Sequence, residues 1–229
     1  MPFAGVSSVV ESELVELFDE HKDQLVAHTN QYFVRVYPAG LRTNSGNYNP
    51  MPGLIGGCQL VALNFQTLDK YYKMYSGFFL DNGYCGYILK QLSPVPREPG
   101  MTLRVQVISG YQLGRLENEG NRDIIDPYVG VKLYGVKEDT AKFRTSTVKD
   151  NGFNPIWNDT FTFRVTRPDV ALLMFVVMDE NSSLKRNDFV AQYTVPVRLI
   201  RPGTSFFHHD STWNLTFFLF IYFYHFVFF

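Results

Sequence analysis

The chain has 229 residues, 45% hydrophobic and 19% charged, enough for a buried core in one large domain or two small ones and too apolar for a disordered segment. Its net charge of −1 leaves no basic excess to neutralise a phosphate backbone, which argues against nucleic acid as a partner. Two cysteines, Cys58 and Cys85, make neither a disulfide framework nor a metal cage and read as buried thiols in a reducing compartment; no basic stretch followed by an apolar run marks a signal peptide.

Residues 1–90 mix helix and strand patterns. Glu11 to about Phe33 carries Leu14, Leu17, Phe18, Leu25 and Val26 at rough helical spacing. Phe33–Tyr37 is β-branched and aromatic and is stopped by Pro38. A polar loop runs from Ala39 to Gly57. Gln59–Phe65 is a continuous apolar run, as in a strand buried on both faces. Leu68–Phe79 predicts a helix and Gly86–Lys90 a last strand. This order argues a parallel α/β sheet.

Residues 91–100 hold three prolines and a glycine and predict a linker. Residues 101–203 alternate with period two: Leu103, Val105 and Val107 interleave with Arg104 and Gln106, and Phe161, Phe163 and Val165 with Thr162 and Arg164. Further strands are predicted at 128–134, 142–148, 172–178 and 189–195, the spacing of a β-sandwich. Residues 204–229 form a Phe-rich tail. Nine of the 21 phenylalanines lie between Phe206 and Phe229, and 211–229 carry no formal charge. The tail borders on the length of a membrane-spanning helix, but it is aromatic-rich and has no basic flank. It is expected to lie outside the fold, as translated non-coding sequence rather than an anchor.

Three blocks in order carry a resemblance: Arg35 to Pro50, Gly56 to Thr67, and Asn82 to Lys90. They resemble the Y-box of phosphoinositide-specific phospholipase C. The segments Ile125–Val129, Asp150–Trp157 and Asn187–Phe189 resemble the C2 domain of the same family. Leu54 stands where the family usually has tryptophan, preceded by Pro52-Gly53, and Gln91 where it has proline. The resemblance implies an α/β half TIM-like barrel over 1–90, then an antiparallel β-sandwich over 101–203 lacking its last strands.

The family's reaction is cleavage of a phosphodiester by the inositol 2-hydroxyl, with two histidines and a calcium ion, all supplied by the X-box. That half does not occur in these residues. His21 and His28 fall on the predicted helix and His208, His209 and His225 in the tail, none at a barrel strand end. The resemblance therefore implies the C-terminal part of a cytoplasmic, peripheral membrane enzyme. As such it would act on phosphatidylinositol 4,5-bisphosphate in signalling, and these residues alone would be inactive. Its partners are phosphoinositide lipids and the missing X-box half, in the same or another chain. The alternative is a non-catalytic calcium- and phospholipid-binding module.

By the same resemblance, Arg35 contacts an inositol phosphate, for which a guanidinium fork is the natural partner, and Tyr37 lines the ring. Two apart on a strand, they point the same way. Ser8 has two readings: a phosphate contact, or the first residue of a Ser-x-x-Glu capping box ending at Glu11. Leu41 falls at a membrane rim. Asp126, Asp150, Asp179, Asn181 and Asp188 fall in three loops at calcium-ligand positions, with Asn181 where aspartate is usual.

Overall fold

The computed structural model describes residues 5–90, 100–113, 124–181, 186–210 and 216–227. Apart from Gly100, the predicted linker lies outside the described residues. The chain divides into two compact units, Met1–Glu98 and Pro99–Phe229.

In the first unit β1 (Val6–Val10), β2 (Phe33–Tyr37) and β3 (Leu60–Val61) form a parallel sheet in that order. Helix α1 (Glu11–Thr29) joins β1 to β2, α2 (Met51–Ile55) precedes β3, and α3 (Lys70–Phe78) follows it. Along β2, buried Val34 and Val36 alternate with exposed Phe33 and Arg35, so one face of the strand enters the core. There it meets Leu14 and Leu25 of α1 together with Tyr48, Cys58 and Val61. Burial pushes the Cys58 thiol up to about 11, which makes it a core residue rather than a nucleophile, whereas Cys85, expected to be buried as well, is exposed. α1 begins with Glu11 and Glu13 in its first turn, where the helix dipole favours negative charge, and kinks at His21 (φ −134°, ψ 34°).

The Pro52-Gly53 departure is absorbed by α2. Pro52 lies in the first turn, where its missing N–H has no intrahelical partner to lose. Gly53 lets the helix sit close to Leu14 and Val61, and Leu54 packs at the edge of the core. The loop from β2 to α2 is pinned by buried Asn47. Its Oδ1 accepts the Asn64 N–H at 2.6 Å and its amide donates to the Thr67 carbonyl at 2.9 Å. Asp69 caps α3 by accepting from the N–H groups of Tyr71 and Tyr72, both at 3.0 Å.

Two strand expectations in this unit are corrected. Only Leu60–Val61 of the 59–65 run is strand, because Asn47 draws Asn64 away from the ladder. Gly86–Lys90 is not strand: no neighbouring strand offers it a ladder among the described residues.

The second unit contains two four-stranded antiparallel sheets among the described residues. One runs β10-β11-β4-β7, from Gly203–Asp210, Thr216–Val227, Met101–Tyr111 and Ile156–Val165. The other runs β6-β5-β8-β9, from Ala141–Arg144, Pro127–Tyr134, Leu172–Asp179 and Asp188–Pro196. The alternation read in the sequence is what fills the core. Leu103, Val105, Val107, Phe163 and Val165 from one sheet and Val129, Val131, Leu133, Leu173 and Phe175 from the other are buried.

The expectation of a sandwich ending at 203, with the tail outside the fold, is corrected. Residues 203–210 and 216–227 form a hairpin whose second strand pairs with β4 from Tyr111↔Phe218 to Met101↔Val227. The physical reason lies in β4: without β11 its outer edge would carry a row of unpaired N–H and C=O groups. Among the described residues no helix is long and apolar enough to cross a membrane.

Candidate functional site

In the first unit the parallel register sets Ser8 opposite Arg35 and Val10 opposite Tyr37. Ser8, Arg35 and Tyr37 thus share the face of the sheet that turns away from the Val34/Val36 core. The Arg35 guanidinium carbon lies 5.4 Å from the centre of the Tyr37 ring. Ser8 is inside β1, and α1 is entered through Val10 with no side-chain cap, so the capping-box reading of Ser8 falls away. An exposed serine hydroxyl, an exposed guanidinium fork and a half-buried aromatic ring on one face suit an anionic ligand with a ring to cover.

Beyond the end of β2 the chain turns at Pro38–Thr43, and Leu41 at its tip is 93% exposed. The turn is held from inside. Glu11, the first residue of α1, accepts the Ala39 N–H at 2.8 Å and both Nε and a terminal nitrogen of Arg42 at 2.5 Å. Hydrogen bonding from Arg42 holds the Glu11 carboxyl below its ordinary range, against the opposing effect of burial. The sequence pointed to Glu11 only as the end of a capping box, and did not point to Arg42. A carboxylate closing β1 and an arginine beside Leu41 were the available signal.

In the second unit three of the five candidate ligands stand at strand ends and two in loops. Asp126 directly precedes β5, Asp179 ends β8, Asp188 opens β9, and Asp150 and Asn181 lie in the intervening loops. The structure joins them in two groups. The Asp126 N–H donates to Asp179 Oδ1 at 2.8 Å, and the Asp150 N–H donates to Asp126 Oδ1 at 2.7 Å. Asp150 takes φ 51°, a conformation its short polar side chain tolerates. Separately, Asn181 Nδ2 donates to Asp188 Oδ2 at 2.9 Å and to the Arg186 carbonyl at 2.8 Å. Among the described residues no three acidic side chains converge as they would around an ion.

Sequence reasoning missed the cations of this end. Lys149 Nζ lies 2.9 Å from Asp126 Oδ2 and 3.6 Å from Glu180 Oε2, and Arg144 donates to Glu180 Oε1 at 2.7 Å. The Asp126 carboxyl is held low first by the Asp150 N–H, against slight burial, and then by Lys149. Phe153 and Ile124, each 59% exposed, stand in the same loops.

Comparison with known proteins places both units. Residues 1–93 match the family described as Phosphatidylinositol-specific phospholipase C, Y domain, and residues 101–211 match the C2 domain. The chain is 42% identical over 218 residues to 1-phosphatidylinositol 4,5-bisphosphate phosphodiesterase delta-4 of Homo sapiens, covering 90% of this chain and 28% of that protein. It is 41% identical over 222 residues to the delta-1 protein of Rattus norvegicus, covering 90% of this chain and 29% of that one. Among solved structures, PLC21 of L. pealei superposes with a TM-score of 0.80 at 30% identity, covering 96% of this chain and 30% of that one. PLC21 of S. officinalis gives 0.82 at 29% identity, covering 96% and 29%. The chain therefore spans under a third of the length of the curated relatives it matches.

Proposed function

Because this chain belongs to the phosphatidylinositol-specific phospholipase C family, with a Y domain followed by a C2 domain, we propose that it is the C-terminal part of an enzyme hydrolysing phosphatidylinositol 4,5-bisphosphate in signalling. The products are inositol trisphosphate and diacylglycerol. In this reading the parallel sheet β1-β2-β3 is part of the second half of a TIM-like barrel, and the face carrying Ser8, Arg35 and Tyr37 is its inner face. One observation carries the assignment. Ser8 and Arg35 stand opposite each other in register at the middle of their parallel strands, and Tyr37 ends β2 at its C-terminal side, the side on which barrel enzymes bind substrate. Arg35 and Ser8 hold an inositol phosphate, Tyr37 lines the ring, and Leu41 dips into the bilayer at the rim.

The 229 residues by themselves do not catalyse, because the general acid and the metal ligands come from the X half. The C2 domain docks the enzyme peripherally on the cytoplasmic face of a membrane, with calcium held by Asp126, Asp150, Asp179, Asn181 and Asp188. The residue types suit calcium, since each candidate can offer a hard oxygen from one of three loops, although among the described residues no three acidic side chains converge on one point. Bound calcium supplies positive charge shared between loop carboxylates and lipid phosphates.

The test is release of inositol trisphosphate from bisphosphate-containing vesicles with calcium. The 229-residue chain gives none, and adding a separate chain carrying an X domain restores turnover. Arg35→Ala then lowers kcat/KM for the bisphosphate about 10- to 100-fold more than for unphosphorylated phosphatidylinositol, the loss expected for one charge-assisted contact of about 1.5–3 kcal/mol. Turnover by the chain alone, or equal losses on both lipids, overturns the assignment.

A further inference from the structure

We propose that Phe65 and Leu68, in the loop after β3, form a second point of lipid contact, so that this end of the sheet meets a bilayer through two loops rather than one. The proposal rests on the reading above, in which the sheet binds a lipid headgroup and Leu41 meets the membrane. β1, β2 and β3 are parallel, so the chain leaves β2 after Tyr37 and β3 after Val61 on the same side of the sheet. A phosphoinositide held by Arg35 and Tyr37 keeps its acyl chains in the bilayer, so the loops on this side face the surface that supplies the headgroup. The loop after β2 presents Leu41. The loop after β3 presents Phe65, 57% exposed, and Leu68, 63% exposed. The core cluster of the unit closes on Leu63 and Tyr75 without either of them.

An apolar side chain favours a membrane most when the fold already holds it outward, because little ordering remains to be done on contact. Asn47 supplies that hold by joining the two loops. Its N–H donates to Asp69 Oδ2 and its side-chain amide to the Thr67 carbonyl, both at 2.9 Å, while the Asn64 amide donates back to the Gly46 carbonyl at 3.2 Å. The Phe65 ring is braced edge-on by Tyr72 and Tyr75, with ring centres 5.2 and 6.0 Å away, and Tyr75 leans in turn on Phe79 at 4.8 Å. Leu68 is fixed by its neighbour Asp69, whose carboxylate caps α3. That carboxylate is taken up by the N–H groups of Asn47, Tyr71 and Tyr72. The exposed charge next to Leu68 is therefore Lys70, its ammonium 4.5 Å from the centre of the Tyr71 ring. An apolar tip with a cation beside it suits an anionic lipid surface. Partial burial of each side chain among lipids strengthens binding roughly three- to tenfold.

The whole 229-residue chain carries Cys85→Ser, which leaves only buried Cys58, and a single added cysteine labelled with nitrobenzoxadiazole. The label is placed by Leu68→Cys, by Leu41→Cys, or by Gln31→Cys in the exposed turn before β2, at the opposite end of the sheet. Vesicles contain phosphatidylcholine, phosphatidylserine and phosphatidylinositol 4,5-bisphosphate. Emission at 68 and at 41 shifts to the blue and gains intensity when vesicles are added, and emission at 31 does not change. In unlabelled chains Leu68→Ser, which leaves the Phe65 stack intact, weakens vesicle partition roughly three- to tenfold, as does Phe65→Ser. Val6→Ser, a change at a 62% exposed residue at the far end of β1, has less than about a twofold effect. A response at 41 without one at 68 overturns the second contact and leaves the Leu41 reading standing. A response at 68 without one at 41 supports the second contact and overturns the Leu41 reading. No response at either overturns both, and an equal response at 31 shows adsorption without orientation and also overturns the proposal. Adding a separate X-domain chain leaves the response at 68 in place; its loss shows that the other half of the barrel covers Leu68, and the lipid contact falls.

Discussion

Glu11 and Arg42, thirty-one residues apart, form a two-point carboxylate–guanidinium pair at 2.5 Å on each arm, and the same carboxylate takes the Ala39 N–H. The pair ties the end of β1 to the turn after β2, so the strand end carrying Tyr37 and the turn presenting Leu41 are held by one side chain. Partial burial and the two-point geometry lift it above an ordinary surface ion pair. Glu11→Gln, Arg42→Met and the double variant, measured by urea unfolding, yield a coupling of about 1–2 kcal/mol. Each single variant also weakens binding of the chain to bisphosphate-containing vesicles, because Leu41 is no longer held outward. A coupling near zero with unchanged vesicle binding means the clamp is incidental.

The same carboxylate sets a pH dependence. Its folded-state pKa is depressed, chiefly by Arg42. A depressed acid contributes stability that is complete above its unfolded value, near 4.5, and is lost as pH falls through the lower folded value. Wild type and Glu11→Gln should therefore differ by a constant margin from pH 7 down to about 5, and the margin should shrink progressively below 4.5. Midpoints of thermal unfolding from pH 7 to 3 give the comparison. A margin that widens in acid would mean the carboxylate is not stabilised by its partners.

Much of this architecture could be read before the structure. Leu103, Val105 and Val107 betray β4 because a half-buried strand must alternate, and all three are buried. The Val34/Val36 core against the Arg35/Tyr37 face followed from the same period. Three kinds of feature were not legible. The run at 59–65 looked like one strand because apolar content does not reveal that Asn47, seventeen residues earlier, captures Asn64. The Glu11–Arg42 and Lys149–Asp126 pairs join residues far apart in sequence, and each ionic partner alone looks like a solvated surface charge. The tail gave no period at all, since both faces of a strand from 216 to 227 are apolar or aromatic.

Asn181 is the natural place to test the proposed calcium site. Its amide donates to Asp188, so in this arrangement it presents hydrogens where an ion needs oxygens. Asn181→Asp replaces the amide nitrogen with a second, charged oxygen facing Asp188. The calcium-free C2 domain should then be destabilised by about 0.5–1 kcal/mol through carboxylate repulsion, and calcium should bind about tenfold more tightly. Thermal unfolding with and without calcium reads both effects in one experiment: a lower midpoint in chelator and a larger upward shift on adding calcium. A variant whose midpoint ignores calcium would remove Asn181 from the set of ligands.

The hairpin β10–β11 makes a prediction from backbone pairing alone. β11 lies between β10 and β4, so its N–H and C=O groups serve neighbours on both sides. Tyr222 pairs with Thr204 on one side and Gln106 on the other. Proline at such an interior position removes a ladder donor and is tolerated at edges, not in the middle of a sheet. Tyr222→Pro should cost about 1–3 kcal/mol for the broken pairing. It should also lower amide hydrogen-exchange protection along Met101–Tyr111 while leaving β8, in the other sheet, protected. Removing 204–229 entirely should go further, exposing the long edge of β4 and driving association of the truncated chains. A shortened chain that is monomeric, with β4 amides as protected as in the full chain, would show that the sandwich closes without its last two strands. Equal loss of protection in both sheets would show instead that the C2 domain unfolds as one cooperative unit.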